Sequence, residues 1–106
     1  MFTEYIVAKE DMQVKIIIDF FVPVLSVKAK YRVKDIEILP KRKRKWQSVF
    51  YSIKRDSSDY RFADDETKKK ILQEECYKYV TEQDIRVALQ KAYEELKPVF
   101  SLDIFA

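Results

Sequence analysis

The stretch Val14-Lys-Ile-Ile-Ile-Asp-Phe-Phe-Val22 is almost continuously apolar and rich in β-branched and aromatic residues. A strand of this kind, apolar on both sides, is typical of the centre of a sheet. The following segment, Val24 to Val33, alternates instead. From Leu25 onward its odd positions hold Leu, Val, Ala, Tyr and Val, and its even positions hold Ser, Lys, Lys and Arg. This period of two predicts a strand with one core face and one cationic face.

Further strands are predicted on either side of this pair. Residues Phe2 to Ala8 suit a short edge strand. Between Val33 and Ile36 the apolar positions change from odd to even numbers. Because a slip of one residue would turn every following side chain to the opposite face, this change predicts a β-bulge or a bend.

A basic hairpin is the most distinctive segment of the chain. Pro40 is followed by Lys41-Arg42-Lys43-Arg44-Lys45, and apolar alternation resumes from Trp46 to Ile53. This pattern predicts a further strand after the hairpin, in which either face can belong to the core. The segment Asp56 to Asp59 suits a turn, and Tyr60 to Phe62 a short strand extension.

The last third of the chain predicts two helices. Asp64 or Asp65 can cap the first helix, and Thr81 with Asp84 resembles a capping box that opens the second. Pro98 is expected to end the second helix. The inner faces are assigned to Ile71, Leu72, Cys76 and Tyr79 in the first helix and to Ile85, Ala88, Leu89, Ala92 and Leu96 in the second. We therefore predict one α+β domain over residues 1–106, an antiparallel sheet of four to five strands with two C-terminal helices packed on one face.

The composition argues against conventional catalysis. The chain contains no His and no Gly, so it lacks the usual general base and the glycine-rich phosphate loops. Asp19, Asp35 and Glu37 lie in or near predicted strands, but the last two share an ordinary solvent-facing side. Cys76 is the only cysteine and lies on an apolar helix stripe, which favours a buried thiol. We expect no enzyme activity, no catalytic residue, no cofactor and no metal site.

The location follows from similar reasoning. No run of about 18 uncharged apolar residues is present, as a membrane-spanning helix would require. Acidic residues occupy the positions where a signal peptide has its basic and apolar regions. We therefore expect a cytoplasmic protein with no membrane partner.

The charge is strongly uneven along the chain. Residues Ser26 to Arg55 include 11 basic and 2 acidic residues, a net charge of +9, whereas the remainder includes 10 basic and 16 acidic residues, a net charge of −6. Such a segment attracts polyanions, since lysine and arginine bind phosphate without reading sequence. We predict a non-catalytic protein that binds DNA or RNA. The candidate contact residues are Lys28, Lys30, Arg32, Lys41, Arg42, Lys43, Arg44, Lys45 and Trp46.

Three questions remain open at this point: the partner of the basic hairpin, the placement of the apolar tail, and whether the hairpin binds anything. The basic hairpin can instead dock on an acidic protein, as in a small interaction or inhibitor protein of phage or mobile-element type. The apolar tail from Val99 to Phe105 can fold back on its own sheet, or it can join two copies into a homodimer. A charged loop that is merely solvated, with lysines that discourage sheet aggregation, is the simplest structural explanation of the hairpin.

The middle of the chain also resembles a known family. Val33-Lys-Asp-Ile-Glu-Ile-Leu39, a hairpin and Ser48-Val-Phe-Tyr-Ser-Ile-Lys-Arg55 are similar to the paired strands of the SpoVG-like septation regulators, and Tyr60 to Phe62 and Glu66 to Ile71 continue the likeness. The resemblance covers Tyr31 to Val80, about half of the chain. It implies a small dimeric β-rich protein that binds DNA and RNA. The glycines around the hairpin and the Ala-His-Pro-Ile stretch of that family are absent, and a C-terminal helix is added.

Overall fold

The computed structural model describes the backbone of residues 2–21 and 30–105 and the side chains of residues 2–21 and 30–95. These residues include four strands, β1 (Phe2–Ala8), β2 (Met12–Phe21), β3 (Lys30–Pro40) and β4 (Gln47–Ser48). The strands form one antiparallel sheet in chain order. The predicted antiparallel α+β fold is therefore confirmed, although the first part of the strand expected from Val24 lies outside the described residues.

The expected bulge is present in β3. Ile17 of β2 lies opposite Asp35, and the next residue, Ile18, lies opposite Val33. Lys34 is thus the extra residue of a β-bulge. The bulge lets Val33 and Ile36 face the same side of the sheet although they are three positions apart.

The described residues also include four helices, α1 (Val49–Asp56), α2 (Ser58–Arg61), α3 (Asp65–Cys76) and α4 (Glu82–Phe105). Helix α4 crosses β1, β2 and β3, and α1 packs on β3. The helices cover one face of the sheet. The core between the two layers consists of Val14, Ile16, Ile18, Ile36, Val49, Phe50, Cys76, Val80, Ala88 and Ala92. Each fully buried aliphatic side chain of this kind contributes about 1.5–3 kcal/mol to folding.

The opposite side of the sheet, here called the open face, carries none of the residues of this core cluster, although Ile17 on it is buried. It is defined by the cross-strand register, in which directly opposed residues point to the same side. Outside the bulge its members are Phe2, Glu4, Ile6, Ala8, Gln13, Lys15, Ile17, Asp19, Phe21, Lys30, Arg32, Glu37 and Leu39. The side chains of Lys34 and Trp46 also lie on this face, because they contact Phe2 and Lys15.

The strand expected from Trp46 to Ile53 is wrong for most of its length, because α1 begins at Val49. The apolar residues Val49, Phe50 and Ile53 also satisfy a helical spacing, and Ser48 caps the helix by accepting a hydrogen bond from the Tyr51 N–H. The extension expected from Tyr60 to Phe62 is likewise helical, since α2 occupies this segment.

The two expected helix starts are confirmed. The Asp64 carboxylate accepts a hydrogen bond from the Thr67 N–H (2.8 Å) at the start of α3. At the start of α4 the Thr81 hydroxyl accepts from the Asp84 N–H (3.1 Å), and the Asp84 carboxylate accepts from the Thr81 N–H (2.9 Å). This reciprocal pair is a capping box with Asp in place of Glu or Gln.

The expectation that Pro98 ends the last helix is wrong, because α4 continues to Phe105. Proline has no N–H, so the helix continues there without the hydrogen bond that Pro98 would otherwise donate to the carbonyl of Glu94. The apolar tail is therefore part of α4 rather than an extended segment, and its side chains lie outside the described ones. Among the described residues, none of the helices is both long and apolar enough to cross a membrane.

Candidate nucleic-acid interface

The five cations Lys41–Lys45, here called the basic loop, follow β3 and lead through Trp46 into β4. The Lys41 N–H donates to the Asp11 carbonyl (3.2 Å), and the Lys43 N–H donates to the Pro40 carbonyl (3.0 Å). All five side chains are exposed. The predicted basic hairpin is therefore present, and its backbone is anchored both to the end of β3 and to the turn between β1 and β2.

The positive charge of the basic loop is not balanced by acidic side chains of the described residues. Elsewhere, lysines and arginines pair with carboxylates, as Lys9 does with Asp84 and Arg86 with Glu82. None of the ion pairs or cation–ring contacts between described residues involves a side chain of the basic loop. Because these five cations have no acidic partner among the described residues, their positive charge is not neutralised within this part of the protein. Their mutual repulsion would be relieved by a bound polyanion.

Trp46 connects the basic loop to the open face. The Lys15 ammonium lies 4.3 Å from the centre of the indole ring. Lys15 is only 13% exposed and also lies 3.5 Å from Glu37 and 3.8 Å from Glu4. The half-buried indole therefore lies on the sheet beside the loop, as predicted for a residue that adjoins the cationic tip.

Lys30 and Arg32 lie on the open face, but at the opposite end of β3 from the basic loop. Lys41 is eleven positions after Lys30, which corresponds to roughly 35 Å along an extended strand. Arg32 donates a hydrogen bond to Asp19 (2.9 Å) and lies over the ring of Phe21 (4.8 Å). The strand cations and the basic loop, which the sequence placed in one set of candidate contact residues, thus lie at opposite ends of β3. Lys28 lies outside the described residues.

Three residues of the open face were missed by the sequence reasoning: Phe2, Phe21 and Lys34. The Lys34 ammonium lies 5.0 Å from the centre of the Phe2 ring, and Phe2 is 56% exposed. Cation–ring contacts at exposed sites contribute only about 0.5–1 kcal/mol. The alternation within Phe2 to Ala8 could have shown that Phe2 shares a face with Glu4 and Ile6. Its position beside Asp19 follows only from the β1–β2 register.

Asp35 does not belong to a solvent-facing acidic pair. Its carboxylate accepts hydrogen bonds from the Ser48 hydroxyl (2.5 Å) and from the Phe50 N–H (3.3 Å), at the start of α1. Glu37 lies instead on the open face beside Lys15. The two acids therefore have separate structural roles. Among the described residues, no group of His, Cys, Asp and Glu side chains could hold a metal ion.

Cys76 is 4% exposed and belongs to the core, as expected. Burial raises the pKa of its thiol to about 11, and the negative charges of Asp35 and Glu75 add to this effect. The thiol is therefore protonated at neutral pH and is a poor nucleophile.

A groove of about 1020 Å³ follows the outer edge of β3, and we call it the β3-edge groove. It exists because β4 pairs with β3 only at Glu37 and Ile38. Among the described residues, the edge from Lys30 to Asp35 has no strand partner. The groove is bordered by α1 and α3, and its lining includes Tyr31, Val33, Phe50, Lys54, Lys69 and Leu72.

Comparison with known proteins adds no further assignment. No protein-family model matches this chain, and no match was found among curated proteins or among solved structures. The resemblance to the SpoVG-like septation regulators therefore stays a prediction.

Proposed function

We propose that this protein binds nucleic acid without catalysing a reaction and that the basic loop contacts the phosphates. The observation that carries the proposal is the exposure of the loop cations and their lack of acidic partners in the described part of the chain. All five are exposed, and none is paired with an acidic side chain of the described residues. Phosphate contacts of this kind release counterions, so they contribute affinity without sequence specificity.

Electrophoretic mobility shifts across a salt series test this proposal. We expect binding at about 50 mM salt that weakens steeply by about 200 mM, because each phosphate contact adds to the salt dependence. Replacing Lys43, Arg44 and Lys45 by serine should reduce the slope of log K against log salt by about 2 for a single strand or a little more for a duplex.

The chain offers a matched control for this variant. Lys68, Lys69 and Lys70 are also three consecutive cations, but they lie on α3 near the acidic residues of its first turn. Replacing these three by serine removes the same formal charge and should leave both affinity and salt slope nearly unchanged. Equal losses in the two variants would show that net charge alone attracts the nucleic acid. No binding at about 50 mM salt would refute the proposed function.

The second candidate function is binding of an acidic protein partner, and the β3-edge groove favours it. An unpaired strand edge presents free N–H and C=O groups that can pair with an extended peptide. Lys54 and Lys69 line the groove together with Lys30 on β3, so an acidic peptide is electrostatically preferred. The same cations would oppose pairing of this edge with its copy in a second molecule.

A labelled peptide of about seven alternating glutamate and valine residues tests the second candidate, since this length spans the free edge. Binding should change the amide chemical shifts of residues 30–35 and should weaken in a Lys54→Glu, Lys69→Glu variant. The matched control is Lys68→Glu, Lys70→Glu on the same helix. Unchanged shifts at residues 30–35 would exclude strand addition at this edge.

A homodimer formed through the tail and a cytoplasmic location also stay predictions. Light scattering on the full chain and on a chain truncated after Lys97 tests the first. A tail-dependent dimer would lose half of its mass on truncation. The same number of chains per particle in the two proteins would contradict a tail-dependent dimer.

A further inference from the structure

We infer that the nucleic acid bound by this protein is single-stranded and that its unpaired bases stack on aromatic rings of the open face. This inference rests on the proposed function and specifies its ligand. Its basis is the placement of three aromatic rings on the open face: Phe2, Phe21 and Trp46.

Each of these rings is matched with a cation from another part of the sheet. The distances from cation to ring centre are 5.0 Å for Lys34 and Phe2, 4.8 Å for Arg32 and Phe21, and 4.3 Å for Lys15 and Trp46. Each ring can stack on a base of a single strand. Arg32 and Lys15 already lie beside carboxylates, so attraction of the phosphates falls to Lys34 and the basic loop.

The acidic side chains of the open face each lie close to a cation. Asp19 is hydrogen-bonded to Arg32, and Glu4 and Glu37 lie within 3.8 Å and 3.5 Å of the Lys15 ammonium. Arg32 thus balances the charge of Asp19, whereas Glu4 and Glu37 share the single Lys15 ammonium and leave one net negative charge there. The uncompensated positive charge is concentrated in the basic loop, beside Trp46, so the ligand backbone is expected to lie at that end of the face.

The spacing of the rings suits several consecutive nucleotides. Phe21 and Lys15 are six residues apart on β2, which corresponds to roughly 20 Å along the strand. Trp46 lies over Lys15, whereas Phe2 and Phe21 lie at the other end of the face, near Asp19 and Lys30 respectively. A duplex buries the faces of its bases in its own stack, so it can contact the basic loop but cannot use these rings.

Trp46 provides a direct reporter because it is the only tryptophan of the chain. The probes are oligothymidylate of about 20 nucleotides, longer than a single small site, and a duplex of equal length. We expect oligothymidylate to quench the indole fluorescence and to bind at least about fivefold more tightly than the duplex, since each stacked base adds affinity.

Two variants of Phe2 separate stacking from simple apolar contact. Phe2→Ala and Phe2→Leu should each weaken oligothymidylate binding roughly fivefold or more, the effect typical of losing one stacked base, and should leave duplex binding unchanged. Phe62 is 84% exposed and lies at the end of α2, away from the open face, so Phe62→Ala is the matched control. Circular dichroism and thermal melting verify that each variant is folded.

Several outcomes would overturn the inference. Equal affinity for single strand and duplex, or wild-type affinity of Phe2→Ala for oligothymidylate, would show that only the basic loop binds. Full affinity of Phe2→Leu would show apolar contact instead of stacking. In these cases the proposed function stands, whereas failure of both probes to bind at about 50 mM salt refutes the function itself.

Discussion

Asp35 and Ser48 join the sheet to the first helix, because the Asp35 carboxylate accepts a hydrogen bond from the Ser48 hydroxyl at 2.5 Å. Ser48 in turn accepts from the Tyr51 N–H (3.1 Å) as the cap of α1. Asp35 follows the bulge residue Lys34, and bulges commonly re-aim the side chains beside them. The pair therefore holds the start of α1 against β3 and closes the hairpin that carries the basic loop.

Replacing Asp35 by alanine should lower the free energy of unfolding by about 1–3 kcal/mol, since it leaves polar groups at the start of α1 without an acceptor. Asparagine, which keeps one carbonyl oxygen, should cause a smaller loss. Urea denaturation measures both values. Asp65→Asn, an exposed acid in the first turn of α3, is the control and should change stability by less than about 0.5 kcal/mol. Equal effects at Asp35 and Asp65 would contradict the anchoring role.

The lowered pKa of Asp84 implies that the stability of the fold depends on pH. The Lys9 ammonium at 2.8 Å, together with the Thr81 N–H, holds the pKa of this carboxyl below its usual range. In the unfolded chain the Asp84 carboxyl has a pKa of about 3.9. Because its pKa is lower in the folded state, Asp84 stabilises the fold at pH values above about 3.9. This stabilisation is lost as the pH falls through the pKa of the folded state.

The Asp84→Asn variant tests this contribution. It should lower the free energy of unfolding by about 1 kcal/mol at pH 7, where the cap and the ion pair are both present. The difference from the wild type should shrink on acidification. Asp64 also has a lowered pKa, because of its hydrogen bond to Thr67, so the acid-induced loss should persist in part. A constant difference between the two proteins from pH 7 to about pH 2 would contradict the assignment.

The basic loop is expected to destabilise the fold slightly at low salt, since its five cations repel one another. Replacing Lys41–Lys45 by serine should leave the fold intact and raise the melting temperature at about 10 mM salt. This gain should disappear near 1 M salt, where the charges are screened. In contrast, serine at Lys68, Lys69 and Lys70 should not raise the melting temperature, because these lysines follow Asp65 and Glu66 on α3. A gain that persists at 1 M salt would exclude charge repulsion as its cause.

Cys76 should react slowly with thiol reagents in the folded protein, because it is buried and its thiol has a raised pKa. At pH 8 we expect modification by a chromogenic disulfide to proceed only as fast as the protein opens, and to accelerate in denaturant. A Ser58→Cys, Cys76→Ala variant places the single thiol at an exposed position as the reference. Comparable rates at the two positions in native buffer would show that Cys76 is accessible.

The sequence by itself determined those features that depend on residues a few positions apart. The alternation up to Val33 and its change of phase by Ile36 predicted the bulge, because side chains alternate strictly along a strand. The polar residues Asp64 and Thr81 marked the helix starts, since a cap bonds to N–H groups two or three residues ahead. The position of Cys76 on an apolar stripe indicated a buried thiol.

Only the tertiary structure decided that Val49–Asp56 is a helix. A short apolar segment fits both the period of two of a strand and the period of about 3.6 residues of a helix. Ser48 as a cap and Lys54 in the last turn were the available signals for a helix. The contact from Asp35, 13 residues earlier, is not visible in any local pattern.

The arrangement of the open face was likewise decided by tertiary structure. The sequence placed Lys30 and Arg32 in one set of candidate contact residues with the basic loop, but the length of β3 separates them from it. Phe2 and Lys34 are far apart in sequence and meet only through the pairing of β1, β2 and β3. Local periodicity specifies which side of a strand a residue occupies. Register between strands, set by the packing of the whole core, specifies which residues become neighbours.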